Sequence, residues 1–404
     1  MAFKRFRTAG LMLLLFMPMI SDANEIRILP FVSIEESLND NLFFDSNNEK
    51  HDFITTISPG LKYDNNTETT QSNLAATFRQ RIYAQNPDLN ALDQTYRAQY
   101  QTLFNPRFRI GADAAFIRDA SPDRDIETTG LVLNAVERDR YQANLNTAYA
   151  ISEKALTNLS YGYSKDQYEE TAEEDYNNLE SNSGNMLVSY DISAIVPATK
   201  ARSTLGYAHY QFPDIVVENY MATAGFSRDM SELWRVLVDA GARYTCSEFD
   251  VSEFQFVPPF SFVPVTRTEN TTGWGAVGNA SLTYQDDRIT AELAVAQDIQ
   301  PASGRSGTTE RTTFSVRVAK KLTYELQCFV RSGFFINYSD SEEYSADEID
   351  ERTFYLSPGL TYNVSPDVAI DASYNYTRTD YESSSQATRN LFMIRLYVQY
   401  PILE

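Results

Sequence analysis

Apolar and polar residues alternate with a period of two over most of this chain. Phe392, Ile394, Leu396, Val398 and Tyr400 are separated by Met393, Arg395, Tyr397 and Gln399. Val368, Ile370, Ala372, Tyr374 and Tyr376 alternate in the same way with Asp371, Ser373, Asn375 and Thr377. Such runs are the signature of a strand whose two faces meet different media. They recur about eighteen times, which predicts an even number of strands and an all-β chain; sixteen would also fit the pattern.

The connections fall into two alternating classes. The short ones are Asp64–Glu68, Asn105–Arg107, Ser152–Ala155, Ser193–Lys200, Asp229–Leu233, Gln285–Arg288, Lys320–Thr323 and Asn363–Asp367. Between them come longer, more acidic segments rich in Ser and Asn, including Asp166–Asp175, Glu248–Asn270, Ser339–Asp350 and Asp380–Thr388. Short turns on one rim and long loops on the other predict a transmembrane antiparallel up-and-down β-barrel, with the short turns and both termini in the periplasm.

Mean hydropathy is only -0.39, and after residue 23 no stretch approaches the ~20 apolar residues of a membrane helix. A barrel strand explains both facts, because its lumen-facing half is polar. The 26 Tyr and 24 Phe suit two interfacial girdles, although a large secreted sandwich or solenoid would also be rich in Tyr. Residues 1–23 read as a signal peptide: Lys4, Arg5 and Arg7 precede an apolar run from Leu11 to Ile20, and Ser21 and Ala23 set cleavage before Asn24. Residues 24–404 are then expected to be barrel throughout, in the outer membrane of a Gram-negative cell. The partners expected there are membrane lipids, lipopolysaccharide and the barrel-assembly machinery.

A net charge of -21 excludes nucleic acid as a partner, since phosphate binding needs a basic surface. The acidic runs Glu169–Asp175 and Asp340–Glu351 read as solvated outer loops and lack the ligand spacing of a calcium loop. Cys246 and Cys328 fall on strands four apart around the wall, too far for a disulfide. Of the two histidines, His51 stands beside Asp52 at a rim, as in barrel proteases and lipases. Adjacent strand residues face opposite ways, so neither catalysis nor a metal or other cofactor is expected.

The face opposite the apolar one carries Lys62, Arg79, Arg81, Arg97, Arg109, Arg140, Arg235, Arg243, Arg317, Arg331 and Arg395. Its acids are fewer: Asp113, Asp191, Asp239, Glu292, Glu325 and Asp371. Arg79, Arg97, Arg109 and Arg140 lie on successive strands and form a candidate basic stripe, the kind of lining that makes a pore favour anions. The alternative is that each arginine pairs with an acid across strands, as Arg243 with Asp239 or Arg109 with Asp113, and merely fills the lumen. Phe254, Phe256, Pro258, Phe260 and Phe262 make the segment Glu248–Asn270 unusually apolar. It is a candidate constriction, a cap, or an extended hairpin above the membrane.

The segment Phe31–Phe44 with Asp40-Asn41-Leu42, Ile57-Ser58-Pro59-Gly60-Leu61, Glu137-Arg138-Asp139-Arg140-Tyr141, and Leu187 to Ser193 together resemble the outer-membrane β-barrel porin family associated with exopolysaccharide and exosortase gene clusters. The resemblance implies an outer-membrane barrel with a role in polysaccharide export or surface assembly, and no catalytic residues. Where such barrels end on an aromatic, Tyr400 is followed by Pro401-Ile402-Leu403-Glu404, which displaces the assembly signal. Two functions follow: a porin-like channel for anionic solutes or an acidic exopolysaccharide, and a closed barrel serving as a structural or interaction protein. The echo of Ile57–Tyr63 in Leu356–Tyr362 predicts a bulge at each proline.

Overall fold

The structure is a computed structural model that describes residues 25–121, 124–129, 136–169, 177–257, 261–302, 307–339, 349–381 and 386–403, with backbone alone for 250–257, 261–267, 127 and 129. The signal segment 1–23 and the acidic runs at 170–176 and 340–348 lie outside the described residues.

Eighteen strands follow in chain order: β1 (Glu25–Asn39), β2 (Asp52–Asn66), β3 (Thr70–Tyr83), β4 (Ala91–Asn105), β5 (Phe108–Asp119), β6 (Arg138–Ala150), β7 (Ala155–Tyr168), β8 (Leu179–Asp191) and β9 (Thr199–Gln211). Then come β10 (Ile215–Asp229), β11 (Trp234–Val257), β12 (Ser261–Gln285), β13 (Ile289–Pro301), β14 (Thr308–Lys321), β15 (Leu326–Ser339), β16 (Ile349–Ser365), β17 (Val368–Tyr381) and β18 (Gln386–Gln399). Each is antiparallel to its chain neighbours, and β1 pairs with β18 to close an eighteen-stranded barrel. Closure pairs the first strand with the last, as spanning a bilayer with strands requires. The tail adds to the seam: Tyr400 N donates to Pro30 O, Ile402 N to Ile28 O, and Leu403 bridges Ile28. The residues beyond Tyr400 therefore prolong β18 along β1.

The alternation read from the sequence is the alternation of the wall. Val32, Ile34, Leu38, Leu145, Leu205, Leu293, Phe392 and Ile394 point out of the barrel and are exposed. On β11, Trp234 packs at a tilt against Tyr284 near the short turns and Tyr244 against Trp274 near the long loops. The two pairs stand ten positions apart, about 33 Å of strand, or about 25 Å along the axis at a tilt of about 40°, which is the height of a lipid-facing apolar band.

All eight short turns form where the sequence sets them, for one local reason. Thr67, Asn105, Ser152, Asp191, Ser231, Asp286, Thr323 and Ser365 each accept a backbone N–H two or three residues on. That bond lets a short side chain close the turn. The N–H groups of Arg288 and Ile289 hold the Asp286 carboxyl below its usual range.

Of the three alternatives for Glu248–Asn270, the extended hairpin is the one formed: β11 and β12 remain paired from Glu248↔Asn270 up to Val257↔Ser261, beyond their neighbours. Two expectations need correction. Neither proline makes a bulge. Around Pro59 and Pro358 the ladder to the next strand is interrupted without a shift, whereas the shifts fall at Leu103/Asn105 and Asn363/Ser365. The repeated Pro-Gly has another purpose. Gly60 and Gly359 each sit opposite an inward aromatic ring of the preceding strand, Phe31 and Phe329, and an added Cβ would meet those rings at 2.2 and 2.3 Å. Lastly, Glu325 lies in a turn rather than on the inner face. Cys246 and Cys328 are free thiols on β11 and β15, four strands apart.

Candidate functional site: the charged lumen

Three of the four stripe arginines form one track. Arg79 on β3 is in register with Asp93 of β4; Arg97 stands four positions further along β4; Arg109 on β5 is in register with Leu103, six positions further again. The track thus descends about 33 Å of strand, from the long-loop rim toward the short turns. All three side chains are exposed to the lumen, and none has a carboxylate within ion-pair distance among the described residues. Asp93 is engaged by Arg81 at 2.8 Å. Asp113, weighed above as the partner of Arg109, instead accepts from Asn144 Nδ2 at 2.7 Å.

Arg140 belongs to a different group. Its Nε and Nη2 donate to the two oxygens of Asp166 at 2.6 and 2.5 Å. Arg138 beside it, with a side chain only 2% exposed, pairs with Asp119 at 3.0 Å and Asp125 at 2.9 Å. Arg124 binds Asp119 at 2.9 Å and the carbonyl of Val136 at 2.8 Å. This cluster ties the connection between β5 and β6 to the inner wall. Elsewhere the pairing alternative fits: Arg317 with Glu292, Arg395 with Asp371, Arg235 with Asp229. Asp239 binds Arg202 at 3.1 Å, not Arg243, whose partner is Glu310.

The described inward narrowing comes from residues that sequence reasoning passed over. Ile126, in the short helix α1 (Ile126–Thr129), packs with Phe44, Phe335, Tyr355 and Ala387. The first lies in the connection between β1 and β2, and the others lie on β15, β16 and β18, so a segment rooted at β5 and β6 reaches the facing wall. Phe44 adopts φ 54°, rare for an aromatic, and is held by the Arg389 guanidinium 4.5 Å over its ring. Asn41, fully buried, donates to Asp45 O at 2.8 Å and Thr388 O at 3.0 Å, and Asp40 caps Asn390 at 2.7 and 2.6 Å. The Asp40-Asn41 pair is therefore an anchor that turns the first long connection inward. The backbone N–H groups of Asn47 and Asn48 hold the Asp45 carboxyl below its usual range. Replacing Asn41 with Leu orphans the buried groups it now satisfies, at about 1–3 kcal/mol; the expected result is noisier, larger single-channel currents, and a trace identical to wild type would remove Asn41 from this role.

Below the rim, Arg79, Arg81, Asp93, Glu35 and Arg389 line a cavity of about 680 Å³. A second of about 560 Å³, nearer the short turns, is lined by Arg109, Asp113, Gln99, Gln101, Asn146, Asn158 and Asn185. Of the apolar hairpin residues, Phe254, Phe256 and Phe262 stand on β11 and β12 without described side chains, and Pro258 and Phe260 lie outside the described residues. His51 is exposed, while Asp52 is fully buried and accepts from the backbone of Phe53, Ala84, Gln85 and Asn86. Asp52 therefore organises the rim as an acceptor. Among the described residues no group of His, Cys, Asp and Glu has the arrangement of a metal site.

This architecture has counterparts among solved structures. The open form of the ferric-catecholate import receptor Fiu from E. coli K12 superposes with a TM-score of 0.51 at 8% identity, covering 93% of this chain and 82% of that one. The fold is that of an outer-membrane barrel. OpdL from Pseudomonas aeruginosa (TM-score 0.42, 13% identity, 94% and 99% covered) and OccAB4 from Acinetobacter baumannii (0.46, 9%, 94% and 99%) also align. Residues 240–396, from within β11 into β18, match the profile of the family described as "Putative MetA-pathway of phenol degradation". No curated protein matches the chain by sequence.

Proposed function

We propose that this chain, exported by a signal peptide at residues 1–23, is an outer-membrane channel that admits small anionic solutes. The observation that carries the reading is the descending track of Arg79, Arg97 and Arg109, whose charges are not neutralised by carboxylates among the described residues. A fixed cation in a confined aqueous bore concentrates anions and repels cations. Small solutes are favoured over an exopolysaccharide because the Phe44–Ile126 contact crosses the bore. The phenol-degradation description of the matching family is compatible with an aromatic acid as such a solute. Membrane lipids, lipopolysaccharide and the assembly machinery are the partners this role requires.

Single-channel recording on the purified wild-type protein in a salt gradient tests the reading, with an anion-selective reversal potential expected. The same Phe44–Ile126 contact favours one other reading, a closed barrel that serves surface assembly; an absence of conductance at all voltages would select it. The orientation carries its own prediction. A cysteine at Asn48 should react with an impermeant maleimide on intact cells, and one at Glu153 should not; the reverse pattern would invert the barrel.

A further inference from the structure

The wall has a seam. β12 is paired with β11 along its whole length, but its ladder with β13 runs only from Gln285↔Thr290 to Gly278↔Gln297. Above Gln297, Asp298–Pro301 continue on the β14 side alone. Gly278 lies four positions below Trp274, so the ladder ends about 10 Å beneath the girdle at the long-loop rim, within the adjoining leaflet. An unpaired strand edge in hydrocarbon is costly and is tolerated only where a cavity or side chains line it.

Side chains do line it. Arg243, on the inner face of β11, is 99% buried and passes over Gly275 of β12, where a Cβ would lie 2.5 Å from its guanidinium. It then pairs with Glu310 of β14. By strand alternation Glu310 is on the outward face, in register with the exposed Tyr338. The contact spans β12 and β13, and Ile299, the register partner of Glu310, is fully buried, so side chains close the seam where the ladder does not. Next to Glu310, Arg311 faces inward and is 93% buried. Asn337 fixes its Nε at 2.7 Å, yet its Nη2 has no hydrogen-bond partner among the described residues. Asp298, its register partner, accepts the N–H of Ile299 instead. On the lumen side, Ile215, Val217 and Phe249 of β10 and β11 form a buried apolar cluster with Leu179, Tyr210 and Phe212.

We infer that the β12–β13 seam is a lateral exit, latched by Arg243 and Glu310, through which a single-chain amphiphilic carboxylate passes between the lumen and the leaflet. The apolar cluster receives the chain, and the free guanidinium edge of Arg311 receives the head group. Polar solutes keep the axial route past Arg97 and Arg109, so the two routes sort solutes by their apolar area.

The test reads access from the leaflet rather than from water. In a Cys246→Ser/Cys328→Ser background, a bimane is placed on the inner face beside the seam (Asn279→Cys) or on the far wall (Gln99→Cys), in proteoliposomes containing doxylstearate. Quenching at Asn279 should exceed that at Gln99 and rise severalfold when Glu310→Gln releases the latch, while Glu292→Gln, in the continuous wall, changes nothing. An excess confined to the Glu310→Gln protein still supports a latched seam. If that variant does not fold, Glu310→Asp, which shortens the latch, gives a smaller rise. Equal quenching at both positions in wild-type and latch-variant protein overturns the inference. A barrel that conducts no ions leaves this comparison intact, so its failure is separate from failure of the anion channel.

Discussion

Replacing Arg79, Arg97 and Arg109 together with serine is expected to move the reversal potential in a salt gradient from anion toward cation preference, with the barrel still folded. At about 8 Å in water, one guanidinium attracts a monovalent anion by about 0.5 kcal/mol and repels a cation equally. Each rung thus separates the two ions by about 1 kcal/mol, roughly a fivefold difference in local concentration. The track extends this preference along the bore. Screening sets the condition for the measurement: the shift should be largest near 0.01 M salt, where the Debye length is about 30 Å, and should shrink near 1 M, where it is about 3 Å. Folding is spared because the three side chains are exposed to the lumen and make no ion pairs within the described wall. Arg140→Ser is the internal contrast, since it leaves Asp166 buried without its bidentate partner. That variant should lose heat-modifiable stability and change selectivity little. Unaltered selectivity in an open triple variant would remove the track from the mechanism.

The division between those two outcomes shows what was legible in the sequence. Strand positions, inward faces and the short turns follow from local rules, period-two alternation and a turn-closing Ser, Thr, Asn or Asp, so Arg79, Arg97, Arg109 and Arg140 were placed on the inner face from sequence alone. Their partners depend on what lies opposite in three dimensions. Arg140 meets Asp166 because β6 and β7 are in that register, and Asp125 approaches because the β5–β6 connection folds inward. Arg243 reaches past two strands to Glu310 instead of pairing four residues away with Asp239. No local rule anticipates such reach. The inward turn of Phe44 and Ile126 was equally hidden, because a long connection carries no periodicity. One signal was present: in Glu137-Arg138-Asp139-Arg140 both faces of a strand start are charged, which a lipid-facing position does not tolerate unpaired. Arg118 indeed holds Asp139 on the outer face at 2.6 Å, while Arg138 and Arg140 turn in. For Glu248–Asn270 the sequence leaves constriction, cap and extended hairpin open, because Pro258, Pro259 and Pro264 break the strand pattern, yet the β11–β12 ladder continues on the Pro264 side in register with Phe254.

The largest stability effect is expected at Arg138. Its guanidinium is almost wholly buried, with Asp119 and Asp125 at 3.0 and 2.9 Å and Asp166 at 4.0 Å. Burying an ion pair is costly, so the cluster is weak grounds for net stability, but removing Arg138 leaves Asp119, Asp125 and Asp166 to share Arg124 and Arg140, a loss of up to about 3–5 kcal/mol. Arg138→Met, close in volume and without charge, should therefore lower the temperature of the heat-modifiable gel shift. It should also release the connection that carries Ile126 to the facing wall. Channel recordings should then show larger conductance, because the Phe44–Ile126 contact no longer crosses the bore. Charge repulsion and loss of packing are separated by a second variant. Arg138→Met with Asp125→Asn removes the carboxylate that lay nearest the lost guanidinium and should recover part of the lost stability, since the two sites share one network. The recovered protein should keep the enlarged conductance, because asparagine at 125 has no arginine at 138 to anchor it. Wild-type conductance in a folded Arg138→Met protein would show that this ion cluster does not hold the constriction in place.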